Sequence, residues 1–371
     1  MNRLFGFLLV SLLAAGCATT GDVTAFKDAN DTSNIQESEG RLWHEARGYD
    51  ATIERSGQIY DDPRATAYLQ GVMDRLYPEF KGKIHVHLYD STQLNAFALP
   101  NGSIYFNIGL LARIGSEAQL AAVLGHEAAH FIEKHSFRQR VSAKNASAFA
   151  VSGIPFASLA AVSSISGFSR DLEREADMKG YARLVKAGYD PHEAHKAFEQ
   201  LAKEVKALGI QEPYFFSSHP QLVERIDTFK ELAAKQKDGG RVGAEEYNAV
   251  VRPVRLEALQ KDLGQDRYKS VILVMEDANL RRIYPAAGYY YLGEAYIRRD
   301  EKNDSQKALE AFQMAARLAP NFAPTYKGIG MHYMKAGNKA RAREYFNRYL
   351  TLASKDAGDR AYVQQYIGSL K

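Results

Sequence analysis

His126-Glu127-Ala128-Ala129-His130 spells HExxH, and its reading decides how the rest of the chain is understood. Residues four apart lie on one face of a helix. Two imidazoles so placed can grip one metal ion, with Glu127 beside it to take a proton from the bound water. Five residues alone prove little, because HExxH arises by chance in helices rich in His and Glu. The surroundings carry more weight. Ser116-Glu117-Ala118-Gln119 has the form of a capping box. Leu120-Ala121-Ala122-Val123-Leu124 follows as an apolar run that buries the helix and turns the histidines inward. The competing reading is two solvated histidines that bind nothing.

Zinc in a catalytic site takes three protein ligands and keeps one position for water. A third ligand must therefore come from another segment. His135 stands five residues beyond His130, about 140° further round a continuous helix, so it is expected to point away. The stretch Ser169-Arg170-Asp171-Leu172-Glu173-Arg174-Glu175-Ala176-Asp177 offers better candidates. Glu173 and Asp177 are four apart and share a face, while Glu175 faces elsewhere. Glu173 is assigned to the metal and Asp177 to the far ring nitrogen of a ligand histidine. Taken without the HExxH, the same run would read as solvated helix charge.

The chain has 371 residues, 46% apolar and 25% charged, which suits a folded protein of two or three domains. A net charge of +4 gives no argument for nucleic acid, and no such partner is expected. The charge is uneven. Residues 281–371 hold 16 Lys+Arg against 8 Asp+Glu, a net +8 that leaves −4 for the rest. Two modules with different surfaces follow. The basic one either binds a partner or merely stays soluble.

Residues 1–17 read as a signal peptide: Met1-Asn2-Arg3, an apolar Leu4–Leu13, then Ala14-Ala15-Gly16-Cys17 in the manner of a bacterial lipobox. Cys17 is the one cysteine, so it has no internal disulfide partner and is the expected site of lipid attachment. A plain cleaved signal peptide is the alternative. Ala18 rather than aspartate follows Cys17, which in Gram-negative lipoproteins implies sorting to the outer membrane. Residues 18–39 are polar and read as a tether.

Residues 40–238 read as the domain carrying the HExxH. Helices are expected over 40–77, with Pro63 opening the second. Ile84–Tyr89 alternates like a strand. Asn95-Ala96-Phe97-Ala98-Leu99-Pro100-Asn101-Gly102-Ser103-Ile104-Tyr105-Phe106 reads as two strands about a Pro-Asn-Gly turn. Residues 146–168 carry no charge, but six serines, two glycines and a proline argue against a spanning helix. A helical hairpin or loop beside the site is expected there, with a membrane-dipping segment as the alternative. Asp238-Gly239-Gly240 marks a boundary. In residues 239–371, Tyr289, Leu292, Gly293, Tyr296, Ala308, Phe312, Ala315 and Pro320 follow the order of a tetratricopeptide repeat, and Tyr326, Ile329, Gly330, Tyr333, Ala342 and Phe346 follow it again.

The HExxH, Glu173-Arg174-Glu175-Ala176-Asp177, Asn95–Pro100 and Ser218-His219-Pro220 together resemble the gluzincin peptidases of the HtpX and CAAX-prenyl-protease group, and among these the BepA-like periplasmic branch with tetratricopeptide repeats. The resemblance implies an α+β fold: a mostly helical zincin-type domain with a small β-sheet, then an α-helical repeat module. It implies one zinc held by His126, His130 and Glu173, endopeptidase activity with Glu127 as base, and a protein or peptide substrate. The chain lacks the spanning helices of the membrane-embedded members, so prenylated substrates are not expected. His219 stabilises the oxyanion, or binds zinc and idles the enzyme, or merely caps a helix. Asn95, Ala96, Phe97 and Ala98 either pair with an extended substrate or form a core strand. The implied setting is the outer membrane facing the periplasm, with soluble periplasmic as the alternative. The repeats recruit a client or an envelope assembly complex, and a lipid on Cys17 holds the membrane. The competing function is a chaperone or scaffold whose metal site is idle.

Overall fold

The computed structural model describes residues 23–32, 35, 37–147, 168–209 and 222–370. Cys17, the expected signal peptide 1–17, residues 148–167 of the uncharged stretch and His219 lie outside the described residues.

The first helices begin where local chemistry starts them. Helix α1 spans Glu37–Arg55 and α2 spans Pro63–Leu76. Asp62 caps α2 by accepting from the Ala65 N–H at 2.9 Å, and Pro63 sits where no N–H is needed. Three strands follow: β1 (His85–Tyr89), β2 (Ala96–Ala98) and β3 (Ser103–Asn107). Strand β3 is central, parallel to β1 and antiparallel to β2, and β2 forms an edge. All five residues of β3 are buried, as expected of a strand covered on both faces. The turn between β2 and β3 needs Gly102, whose φ is +98° and whose Cβ would lie 2.5 Å from the Lys83 carbonyl oxygen. Asp50 on α1 ties this hairpin down, accepting from Ser103 Oγ and Tyr105 Oη, each at 2.8 Å, and from Asn101.

After the short α3 (Ile108–Leu111) comes α4 (Glu117–Ile132), the HExxH helix. Ser116 caps it by accepting from Gln119 N at 3.3 Å, while Gln119 Oε1 reaches back to Gly115 N at 2.8 Å. Every residue of α4 except Gln119 is buried, so the helix is the axle of the main core. It stops at Ile132. Lys134 takes a left-handed φ of +55°, and a separate helix, α5 (His135–Ser147), starts in a new direction. Helix α6 (Arg170–Lys186) is capped by Ser169, and α7 (Ala194–Leu208) and α8 (Leu222–Ala234) complete this layer.

The polar segment 18–39, expected as a tether, is not a free strap over its described part. Phe26 is buried against Phe131 and Trp43, and its N–H donates to Ile132 O at 3.0 Å. One aromatic ring is enough apolar area to pin a polar segment to a groove.

Helix α9 (Ala244–Gly264) joins two cores. Tyr247, Val251, Val254 and Ala258 belong to the main core, whereas Leu259 and Leu263 belong to a second one with α10 (Tyr268–Glu276) and α11 (Ala278–Arg281). The hydrophobic interior thus runs on past Asp238-Gly239-Gly240. Arg113 strengthens the joint: its guanidinium, fully buried, donates to both oxygens of Glu204 on α7 and to Asp262 on α9, all at 2.9 Å. The rest is helical: α12 (Ala286–Arg299), α13 (Asp304–Leu318), α14 (Ala323–Lys335), α15 (Lys339–Leu352) and α16 (Arg360–Ser369). The Phe312 ring lies where a Cβ on Gly293 or Gly328 would be, and Phe346 does the same at Gly330. Small residues there let α12 pack on α13 and α14 on α15. The observed fold is mostly helical with one small sheet. Among the described residues no helix is long and apolar enough to cross a membrane.

Candidate metal centre

Helices α4 and α6 cross side by side and bring three ligand atoms together. His126 Nε2 and His130 Nε2 are 3.0 Å apart. Glu173 Oε2 lies 3.5 Å from the first and Oε1 lies 3.4 Å from the second. All three residues are buried, and their ligand atoms lie within 4.8 Å of one another. Glu127, between the histidines in sequence, is fully buried as well. Two imidazoles and one carboxylate are the donor set of a catalytic zinc site. The orientation of His126 fits the same ion. Its Nδ1 lies 2.9 Å from Asp177 Oδ1, so the ring carries its proton there and leaves the Nε2 lone pair for a metal.

Asp177 is itself held. Arg225 on α8 donates to it from Nε at 3.0 Å and from Nη2 at 2.7 Å. The fork-on-carboxylate geometry is the strong form of this pair. Nη2 also lies 3.0 Å from His126 Nδ1, so two donors converge on the one carboxylate. Arg225 Nη1 is 3.7 Å from Glu173 Oε2, and the guanidinium lies over the Phe198 ring. Burial works to discharge Arg225, but Asp177 and Glu173 outweigh it and raise its pKa.

His135 overturns the expectation that it points away. The continuous-helix arithmetic fails because α4 ends before it. The chain reverses at Lys134 and places His135 Nδ1 2.9 Å from His130 Nδ1. His135 Nε2 lies 3.4 Å from Glu175 Oε2, and Arg138 holds the same carboxylate at 2.8 Å. Burial pushes the His135 imidazole down to about 4, with Glu175 pulling the other way. The ring is therefore neutral at ordinary pH. The Phe168 ring stacks on His130 with centroids 4.0 Å apart.

The structure thus brings His126, Glu127, His130, Glu173 and Asp177 into one buried group. Asn95, just before β2, is buried; on β2 itself, an edge strand that packs against α4, Ala96 and Ala98 are buried and Phe97 is half-buried. His85 and His87 share strand β1 and are not among the clustered ligand residues, and His87 stacks on Tyr105. Two neighbours escaped the sequence reading. Arg225 had a legible signal: it falls among Leu222, Ile226 and Phe229 on the buried face of α8. His135 had none, because the break at Lys134 involves neither glycine nor proline.

Paired histidines one helical turn apart, a glutamate from a crossing helix and a second glutamate within the histidine pair define a zinc metallopeptidase class of site. The sequence comparisons agree. Residues 63–233 match the model of peptidase family M48. It is 28% identical over 206 residues to a putative beta-barrel assembly-enhancing protease of Vibrio cholerae, covering 50% of this chain and 42% of that one. It is 23% identical over 268 residues to the beta-barrel assembly-enhancing protease of Yersinia pestis, covering 66% and 55%. It is 32% identical over 185 residues to the mitochondrial metalloendopeptidase OMA1 of Schizosaccharomyces pombe, covering 45% and 52%. The chain therefore spans about half the length of these relatives.

Proposed function

We propose that this chain is a zinc-dependent endopeptidase of the bacterial cell envelope that cuts unfolded or misassembled proteins. The observation that carries the reading is the buried group of His126, His130 and Glu173, with Glu127 beside the histidine pair. Zinc held by those three would supply Lewis acidity, making water a better nucleophile and drawing charge from the scissile carbonyl. Glu127 takes the proton of the attacking water and returns it to the leaving amine. Asp177 and Arg225 fix the orientation of His126. His219, which lies outside the described residues, is a donor to the developing oxyanion, a zinc ligand that idles the enzyme, or a helix cap.

Strand β2 receives the substrate backbone. Asn107 N donates to Asn95 O and Leu99 N donates to Ser103 O, so the odd-numbered residues flanking β2 bond inward to β3. The N–H and C=O groups of Ala96 and Ala98 consequently face the other side of the strand, toward the open edge. An extended peptide could add there as one more strand.

The rear helices form tetratricopeptide repeats that recruit a client or an envelope assembly complex. The small-residue and aromatic contacts at Gly293, Gly330, Phe312 and Phe346 support this reading. A lipid on Cys17 anchors the chain to the outer membrane. The relatives named for beta-barrel assembly support an envelope role.

The test is degradation of an unfolded protein such as casein by zinc-loaded enzyme beside Glu127→Gln. Cleavage lost in the variant, with zinc retained, supports the hydrolase. No cleavage by the parent and no change in the variant leaves a chaperone or scaffold with an idle metal site.

A further inference from the structure

The two metal-facing histidines are held by different devices. His126 reaches a carboxylate directly, through Nδ1 to Asp177 at 2.9 Å. His130 meets a different group at its Nδ1. The atom there is another imidazole nitrogen, Nδ1 of His135, at 2.9 Å. Between two imidazole nitrogens one must donate and the other accept. If Nε2 of His130 faces the metal, the neutral ring carries its proton on Nδ1 and donates. His135 must then accept on Nδ1 and carry its own proton on Nε2. That nitrogen is buried, and Glu175 Oε2 lies 3.4 Å from it, an ion-pair contact rather than an aligned hydrogen bond. Arg138 fixes the Glu175 carboxylate from the other side.

We propose that His135 is a positioning residue for the metal site, relaying the carboxylate of Glu175 to His130 and so setting which nitrogen of His130 is free for zinc. His135 touches neither substrate nor metal. Its geometry depends on the break after α4, which swings a residue of the next helix back under the last turn of the first. The two ligand histidines thus gain the same chemistry, a remote negative charge on the far nitrogen, by a one-residue and a two-residue route. The inference rests on His126, His130 and Glu173 being the zinc site.

The test measures zinc affinity of the whole chain by competition with a chromogenic chelator, with the melting temperature of the metal-free protein alongside. Zinc binding by the parent, lost in His126→Ala, tests the site itself. His135→Leu and His135→Asn share the same heavy-atom branching at Cγ, but only Asn offers an acceptor, Oδ1, where Nδ1 stood. His135→Leu is expected to weaken zinc about 10- to 100-fold, the range for loss of such an outer partner. His135→Asn is expected to recover most of it. Glu175→Gln, at a half-buried position that threatens folding less, is expected to weaken zinc by a smaller factor. Parental affinity in His135→Leu overturns the proposal. So does equal loss in the Leu and Asn variants, which would assign the effect to packing. Should His135→Leu fail to fold, unchanged affinity in Glu175→Gln overturns the relay.

Discussion

Gly180 on α6 lies against the backbone of Gly125 on α4. A Cβ on Gly180 would sit 2.7 Å from His126 N and 2.8 Å from Gly125 C, and one on Gly125 would sit 3.1 Å from Gly180 O. No side chain separates the two helices at this point. Their closeness is what lets a carboxylate two turns before Gly180 meet the two imidazoles. Gly180→Ala must push backbone rather than a flexible side chain, at a cost of about 1–3 kcal/mol. The expected result is a variant that still folds yet binds zinc more weakly, because Glu173 is moved away from His126 and His130. Metal analysis after dialysis, beside a melting curve, checks it.

Asp177 is a buried carboxylate that depends on Arg225. Arg225→Leu leaves that charge without its guanidinium, a loss of about 3–5 kcal/mol for a broken buried pair. Arg225→Lys is not expected to rescue, since an ammonium cannot grip both carboxylate oxygens in a planar fork. Asp177→Asn keeps the shape but not the charge, and is expected to lower zinc affinity about 10- to 100-fold. Chemical denaturation and zinc competition separate the two effects.

Glu127→Gln is expected to keep zinc and lose about 10²- to 10⁴-fold in kcat, the contribution of a positioned proton-transfer group. Glu173→Ala is expected to lose zinc as well. Turnover measured together with metal content distinguishes a missing base from a missing ligand.

Glu117 opens α4 and is fully buried. Tyr68 and Tyr189 donate to it, and Arg75 and Arg241 pair with it at 2.5 Å and 3.0 Å. Burial raises its pKa, but these partners outweigh that and the net shift is downward. A carboxylate depressed in the folded state stabilises above its unfolded pKa, and the stabilisation is lost as pH falls through the folded value. Glu117→Gln is therefore expected to be less stable than the parent at pH 7, with the difference shrinking in acid. Urea midpoints across pH 7 to 3 check the sign, and a gap that stays constant would refute it.

Gly330→Ala places a methyl where the Phe346 ring sits. It is expected to cost about 1–3 kcal/mol in the rear helices. Peptidase turnover should survive, because this contact belongs to a core that excludes α4 and α6. Hydrogen exchange confined to α14–α16 would show the loss directly.

Much of the centre was legible in the linear chain because helix periodicity is a local property. Four-residue spacings put His126 with His130 and Glu173 with Asp177 on shared faces, and Ser116, Ser169 and Pro63 announced helix starts. The strand pair about Pro100-Asn101-Gly102 was legible for the same reason: turn chemistry is local too. Composition alone did not reveal that Phe26, within the polar segment 18–39, is buried against Phe131 and Trp43.

By itself, then, the order of residues determined which side chains face together on each helix, and hence the donor set. It could not determine which helices touch. Only tertiary packing brought Gly125 against Gly180, turned Arg225 onto Asp177, and folded His135 back under His130. Those contacts join residues as far apart along the chain as Gly125 and Gly180, and depend on how apolar faces share one interior. A left-handed residue such as Lys134 carries no mark in the sequence, because the strain it bears is compensated by burial elsewhere in the fold.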